Sequence, residues 1–361
     1  MEALMASVCE AFGLDAAACR WEELSGGHIN RTLRVRCVGP EGTLRDLVLQ
    51  RINTRVFCQP EEVMENIVRV TAHLRSRQPG ALTLRYHPAR DGRPFFRDAE
   101  GGCWRLCDFV PSVSYTSGAS LRVVEGTGEA FGTFQQLLAD FPADTLHETI
   151  PGFHHTPSRY EQLMQAAEQD AAGRASSARE ELAWLQSVRE EACRLCAMQV
   201  RGELPLRVTH NDTKIANVLF SEASGRPLMV IDLDTVMPGL VAYDFGDAIR
   251  TAACTAPEDE RTLSRVSLDM PRYAAFARGF LSRTAARLTC AEVETLPLGC
   301  LSVTVEQAVR FLEDYLRGDI YYRINCPEHN LIRARCQIAL AKDMQARLGE
   351  MEQVLFSWRS A

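Results

Sequence analysis

The spacing of apolar residues changes character partway along the chain. Residues 1–20 carry Leu4, Val8 and Phe12 at helical spacing, which predicts an opening helix. A glycine-rich bend, Ser25-Gly26-Gly27-His28, precedes a run of strict alternation from Thr32 to Val38. Gly39-Pro40-Glu41-Gly42 has turn chemistry, and Asp46 to Asn53 alternates again, so the two runs predict a β-hairpin. Pro60 to Arg75 returns to helical spacing and opens on two glutamates, as the helix dipole favours. Two further strands, Thr83–His87 and Cys103–Val110, flank a turn at Asp91-Gly92-Arg93-Pro94. The order β-β-α-β-β describes a small antiparallel sheet with one helix.

Beyond the turn-rich stretch from Pro111 to Gly118 the period is helical. Helices are expected over Ala119–Leu138, Ser158–Ala171 and Ala178–Val200, and again from Tyr243 onward. One strand-loop-strand unit interrupts them, Leu206 to Asp234. The chain is thus expected to be α+β and two-lobed, with a small β lobe over residues 1–110 and a larger, mainly α lobe over 111–361.

Composition narrows the partners. Among 361 residues, 40 are basic and 47 acidic, a net charge of −7, and this balance opposes a nucleic-acid partner. The longest stretch without Asp, Glu, Lys or Arg runs from Phe109 to Leu121 and contains Pro111, far short of a membrane span. Glu2, Glu10 and Asp15 and the lack of a basic start argue against a secretory leader. The thirteen cysteines are scattered in apolar company, as free thiols are in a reduced compartment, so a cytoplasmic location is expected. Cys193 and Cys196 read as two positions one turn apart on a helix, and His154-His155 as a surface loop. Nothing in the pattern calls for an obligate protein partner.

The chemistry concentrates in Val208-Thr-His210-Asn-Asp212-Thr-Lys214-Ile-Ala-Asn217-Val-Leu-Phe220 and in Met229-Val-Ile231-Asp232-Leu-Asp234. His210, Asp212 and Asn217 sit in a polar loop between apolar strands, and a second strand ends on Asp232. A turn at Ser224-Gly225 brings the two together. Two carboxylates and an amide oxygen suit Mg²⁺, which takes few protein oxygens and shares phosphate oxygens with its substrate. The spacing matches phosphoryl transfer: an Asp that orients a hydroxyl, an Asn five residues on, and a strand-end Asp twenty residues on. Asp212 is the expected catalytic residue, Asn217 and Asp232 the metal ligands, and Asp234 a second metal or substrate ligand. His210 is expected to orient the loop. Asp244-Phe245-Gly246 copies a protein-kinase triplet but lies too far on, beyond Pro238-Gly239, so Asp244 is expected to cap a helix or hold the fold.

These motifs resemble the aminoglycoside-phosphotransferase and choline-kinase superfamily of small-molecule kinases. Longer strings resemble, within it, the N-acetylhexosamine 1-kinases. They are Gly26-Gly27-His28-Ile29-Asn30, Arg207 to Lys214, Ile231 to Gly239, Tyr243 to Arg250, Arg310 to Tyr322 and Pro327 to Arg333. The resemblance implies a protein-kinase-like bilobal fold that passes the ATP γ-phosphate to the anomeric hydroxyl of an amino sugar, GlcNAc or GalNAc. It implies adenine near Phe109 and Val110, at a hinge running into Pro111, with Gly26, Gly27 and Gln50 toward the nucleotide. It also implies a sugar site drawn from His28, Asp247, Arg250, Arg310 and Tyr321.

One departure concerns charge. Such enzymes place a lysine on the third strand to hold phosphates. Alternation here puts Val48, Gln50 and Ile52 on one face, so an amide, Gln50, stands at that place, and Arg51 points away. Glu61, Glu62 and Glu65 compete as its helix partner. His28 either touches substrate or shapes the glycine turn. Arg310, Asp314 and Tyr321 are expected on one continuous helix, where Arg310 could instead pair with Asp314 at i,i+4. The rival readings are a sibling kinase for an aminoglycoside, choline, homoserine or another sugar hydroxyl, and a nucleotide-binding pseudokinase.

Overall fold

The computed structural model describes residues 2–24, 29–38, 43–80, 82–116 and 119–358. Helix α1 (Glu2–Ala11) stops early because Gly13 takes a left-handed φ of 72°. Residues Cys19–Glu23 then form strand β1, not the helix expected to residue 20. β1 pairs antiparallel with β2 (Arg31–Val38), Cys19 opposite Cys37, and adds an edge to the predicted hairpin. β2 pairs with β3 (Leu44–Ile52), placing Thr32 opposite Gln50. Helix α2 (Pro60–Arg77) follows as expected, with glutamates in its first turn and arginines in its last. The later strands are shorter than the pattern suggests: β4 (Tyr86–His87), an added β5 (Phe96–Arg97), and β6 (Cys103–Asp108). The sheet order is β1-β2-β3-β6-β4, with β5 also on β6, and all pairs are antiparallel.

Strand alternation gives this sheet two different faces. Leu33, Val35, Leu47, Leu49, Trp104 and Leu106 pack under α1 with Met5, Val8 and Phe12. The opposite face, with Ile52, Cys103 and Cys107, packs on α2 and reaches Val208, Met229, Leu233 and Val236 of the helical lobe. Gln50 and Arg105, directly opposite each other in the β3–β6 register, share this second face.

The helical lobe begins with α3 (Leu121–Leu137) and α4 (Thr156–Gln169). The predicted helix over 178–200 is broken at Val188 and Cys193, where ψ rises to near zero, into α5 (Arg179–Ser187), α6 (Arg189–Ala192) and α7 (Arg194–Val200). Four short strands follow: β7 (Arg207–Thr209), β8 (Val218–Phe220), β9 (Pro227–Val230) and β10 (Met237–Gly239). They form two antiparallel ribbons, β7–β10 and β8–β9. Helices α8 (Val241–Ala252), α9 (Met270–Thr284), α10 (Cys290–Arg317), α11 (His329–Ala346) and α12 (Leu348–Leu355) complete the lobe. α10 opens on a capping box, Thr289 with Glu292, and α8 lies against it backbone to backbone. A Cβ added at Gly246 would fall 2.4 Å from the Gly299 carbonyl oxygen. The glycine of the Asp-Phe-Gly triplet is therefore a helix-packing residue. This close approach seats the first turn of α8 beneath the β7–β10 ribbon.

The structure is mixed α+β, an antiparallel sheet lobe with a larger helical region. No helix among the described residues is long and apolar enough to cross a membrane. None of the thirteen cysteines forms a disulfide, Cys193 and Cys196 included.

Candidate active site

The polar loop after β7 is held from below by two carboxylates on α8. Asp244 accepts the backbone N–H groups of His210 (2.9 Å) and Asn211 (2.7 Å) and the side-chain amide of Gln135 (2.7 Å). One turn on, Asp247 accepts the Thr213 N–H at 2.9 Å. The Thr213 hydroxyl donates to the Asp244 carbonyl, and the Thr235 hydroxyl to the His210 carbonyl. His210 is fully buried, edge-on to Phe131 and Phe134. Its Nε2 lies 2.9 Å from the Ile231 carbonyl, which can only accept, so Nε2 carries the proton and Nδ1 accepts the Asp212 N–H. His210 thus ties the loop to the end of β9, and Asp244 carries the loop's backbone.

Asp212, Asn217 and Asp232 converge above this support. The Ile231 N–H donates to the Asn217 carbonyl at 2.9 Å, which sets Asp232 beside the loop. Asn211 and Asp232 both have φ of 63°, a left-handed backbone that Asn and Asp tolerate better than most residues. Lys214 Nζ (2.7 Å) and Asn217 Nδ2 (2.9 Å) both donate to Oδ2 of Asp212. Burial acts to raise the Asp212 pKa, but the Lys214 ammonium and the hydrogen bonds from Lys214 and Asn217 outweigh it and hold the carboxyl below its usual range. Asp232 differs. Burial, then Asp234 and Asp212, push its carboxyl up to about 6, against the opposing pull of Lys214 and Arg105.

Crowded carboxylates of this kind favour a bound cation. The donor set fits Mg²⁺: the Asp232 carboxylate and the Asn217 amide oxygen, which is left over because the Asn217 nitrogen is spent on Asp212. Among the described residues no three His, Cys, Asp or Glu side chains close on one point. Few protein oxygens is the usual arrangement for an ion that shares phosphate oxygens.

On the sheet side, Asp234 is buried, and both its oxygens are engaged by groups from the β lobe. Asn30 Nδ2 donates to one at 2.6 Å, and Arg105 Nη1 of β6 donates to the other. Arg105 Nε donates to Gln50 Oε1 at 3.0 Å, and Gln50 donates in turn to Thr32. Gln50 does stand on the face turned to α2 and the helical lobe, and Arg51 is on the other. From α2, Met64 brings its sulfur to 3.9 Å from Nη1. The three competing glutamates are elsewhere: Glu61 pairs with Arg97, while Glu62 and Glu65 face His147. At the lobe connection, the Phe109 ring lies 3.7 Å under Arg34, and the Val110 carbonyl accepts from Ser112. Gly26, Gly27 and His28 lie outside the described residues.

On the other side of the loop, Asp247 also accepts from Arg250, whose guanidinium bonds Glu258 at 2.7 Å. Arg310 lies near enough to Arg250 to feel its charge. It is half-buried, between Phe153 (5.3 Å) and Tyr322 (5.8 Å), and its hydrogen bond goes to the amide of Gln307. Beneath it, His154 Nδ1 meets Glu306 at 2.9 Å and stacks on Tyr243, rather than forming a surface loop. The expectation of one helix through Tyr321 fails. α10 ends at Arg317 with Gly318 in the left-handed region, and Asp314 turns back to accept the N–H groups of Ile320, Tyr321 and Tyr322. Asp314 is therefore spent on that loop and not on an i,i+4 pair with Arg310. Tyr321 is 59% exposed, and Tyr322 takes the place beside Arg310.

Sequence reasoning passed over three residues at this site. Lys214 had a local signal, a lysine two positions after the key carboxylate. Arg105 had a weak one, a lone basic residue in an apolar strand. Asn30 had none, because its partner is 204 residues away.

Comparison with known proteins agrees with this architecture. The aminopropanol kinase associated with a microcompartment superposes with a TM-score of 0.66 at 18% identity, over 96% of this chain and 97% of that one. A choline kinase from Cryptosporidium parvum gives 0.55 at 13%, over 96% and 95%. A spectinomycin phosphotransferase, solved with ADP and spectinomycin, gives 0.56 at 10%, over 100% and 98%. These likenesses concern the fold. A sequence profile for the phosphotransferase enzyme family matches residues 20–290, which take in the β lobe, the polar loop and α8. The chain belongs to that phosphotransferase enzyme family.

Proposed function

We propose that this phosphotransferase moves the γ-phosphoryl group of ATP to the anomeric hydroxyl of an N-acetylhexosamine, giving the sugar 1-phosphate and ADP. The observation that carries the acceptor class is Arg310: a guanidinium between two aromatic rings whose hydrogen-bond partner is an amide. Near it, Arg250 is already matched by Asp247 and Glu258, and Glu306 by His154. A guanidinium whose hydrogen bond goes to an amide and not to a carboxylate disfavours an ammonium acceptor beside it and suits a neutral polyol. Fixed guanidinium donors and ring faces match sugar hydroxyls and an N-acetyl group. The resemblance of the Arg310–Tyr322 and Ile231–Gly239 strings to N-acetylhexosamine 1-kinases supports the same reading.

The proposed roles follow from the geometry. Lys214 and Asn217 both occupy Oδ2 of Asp212, leaving Oδ1 to orient the acceptor hydroxyl and take its proton. A carboxylate held below its usual range stays ionised and acts mainly by positioning, which suits a loose transition state. Lys214 brings a positive charge beside Asp212, where the transferring group must pass. Asn217 and Asp232 would hold Mg²⁺, with Asp234 behind them. The ion, when bound, neutralises charge on the β- and γ-phosphate oxygens. Adenine is assigned to the Phe109–Val110 connection. The pseudokinase reading has nothing in its favour, since Asp212, Asn217 and Asp232 are all present and convergent.

The test is purified protein with Mg·ATP and a panel of acceptors: GlcNAc, GalNAc, other hexoses, choline, homoserine and an aminoglycoside. Detection by ³¹P resonance identifies the linkage. Phosphorylation at an anomeric oxygen of GlcNAc or GalNAc is the expected result. Turnover confined to a cationic acceptor refutes the proposal.

A further inference from the structure

We propose that Arg105 of β6 is the residue that binds nucleotide phosphate in this protein, doing from a neighbouring strand what a third-strand lysine does in other kinases. The inference rests on the phosphotransferase reading of the site but not on the identity of the acceptor. In kinases of this architecture a lysine on the third strand holds phosphate oxygens and is paired with a glutamate of the adjacent helix. Here both partners are replaced: the strand position is Gln50, and the α2 side chain that reaches the Arg105 guanidinium is Met64 and not a glutamate. The cation has moved across one strand pair. Arg105 stands directly opposite Gln50 in the antiparallel register, on the same face, and Gln50 accepts from its Nε. The counter-charge has moved as well, from the helix to Asp234, two residues past the proposed metal ligand Asp232.

A second observation points to a ligand. The guanidinium is 1% exposed, and its donors are unevenly used. Nε is spent on Gln50 and Nη1 on Asp234, while Nη2 is buried with no hydrogen-bond partner among the described residues. A cationic donor left buried and unpaired is costly, and an oxyanion arriving beside the proposed metal ligands would satisfy it. Gln50 and Asp234 hold the planar fork in one orientation, so little side-chain entropy remains to be lost when an oxyanion arrives. With Nε and Nη1 already engaged, the N–H groups of Nη2 are the donors that remain for phosphate oxygens, held in a fixed direction where a lysine ammonium would swing.

The experiment compares ADP with adenosine as ligands for the full chain by titration calorimetry, in EDTA so that no metal bridges the phosphates. The ratio of the two dissociation constants reports phosphate recognition by protein groups alone. Arg105→Gln is expected to shrink the ADP advantage by about tenfold or more, with adenosine affinity unchanged, because a charge-assisted donor is lost. Adding Gln50→Lys, which returns a cation to the facing position, is expected to restore most of that advantage. An advantage in Arg105→Gln equal to the wild type overturns the assignment. If Arg105→Gln does not melt cooperatively, Arg105→Gln/Asp234→Asn replaces the ion pair by amides and is read against Asp234→Asn alone. Equal ratios in those two proteins overturn it too. Neither ligand is an acceptor, so a failed acceptor panel and a failed phosphate test remain distinguishable.

Discussion

Two aspartates that look alike in the sequence should fail in opposite ways when removed. Asp244→Ala takes the acceptor from two backbone N–H groups, His210 and Asn211, and from the Gln135 amide, all in the buried core. An unsatisfied buried donor costs roughly 1–3 kcal/mol, so the three lost bonds set an upper bound well above the typical effect of a point mutation. Part of that loss is returned. Burial pushes the Asp244 carboxyl above its ordinary value despite the groups that bond it, so its charge is itself held at a cost. The net expectation is about 2–4 kcal/mol of lost stability, a fall in Tm on the order of 3–5 °C for a chain of 361 residues. Asp232→Ala should behave differently. Asp232 is half-buried and crowded by Asp212 and Asp234, so its removal relieves like-charge repulsion. Stability should hold within about 1 kcal/mol or rise, while the gain in ADP affinity on adding Mg²⁺ disappears. Urea unfolding and ADP titration with and without Mg²⁺ on both variants decide it. If Asp244→Ala unfolds with the wild type while Asp232→Ala loses several kcal/mol, the division between loop support and metal ligand is wrong.

Asp212→Asn should lower turnover by about 10²–10⁴ with nucleotide affinity retained, read by steady-state kinetics and ADP titration; near-normal turnover removes Asp212 from catalysis. Arg310→Ala should lower kcat/KM for the hexosamine by about 10- to 100-fold, roughly 1.4–2.7 kcal/mol, with the ATP KM unchanged. Because Asp314 is committed to the 320–322 loop, a loss of stability without a change in sugar kinetics would mean that Arg310 serves packing alone. Gly246→Ala should destabilise by about 1–3 kcal/mol or more, since its methyl meets the Gly299 backbone and not a side chain that can turn aside; a thermal melt equal to the wild type would contradict the α8–α10 packing.

Local information carried the reading where the relevant partners are close in sequence. Alternation over Thr32–Val38 and Asp46–Asn53 is enough to specify a hairpin, because one buried face sets the register. The Asp212–Asn217 spacing and the strand ending at Asp232 were legible for the same reason: a short loop and a tight ribbon bring them together whatever surrounds them. Local pattern failed where a single residue or a distant contact decides. Gly13 ends α1, and the edge of β2 then recruits Cys19–Glu23 as a strand. Gly318 ends α10, and Asp314 folds the following residues back, so Tyr321 leaves the helix that periodicity assigned it. Charge pairing was the least legible property. The partners of Asp234 lie 129 and 204 residues away, and no spacing rule connects an arginine on one strand to an aspartate in the other lobe. The residue types for phosphoryl transfer were thus present in the sequence. Which arginine meets Asp234 in place of the absent lysine was decided by strand register and lobe packing, because Coulomb energy depends on distance in space and not along the chain.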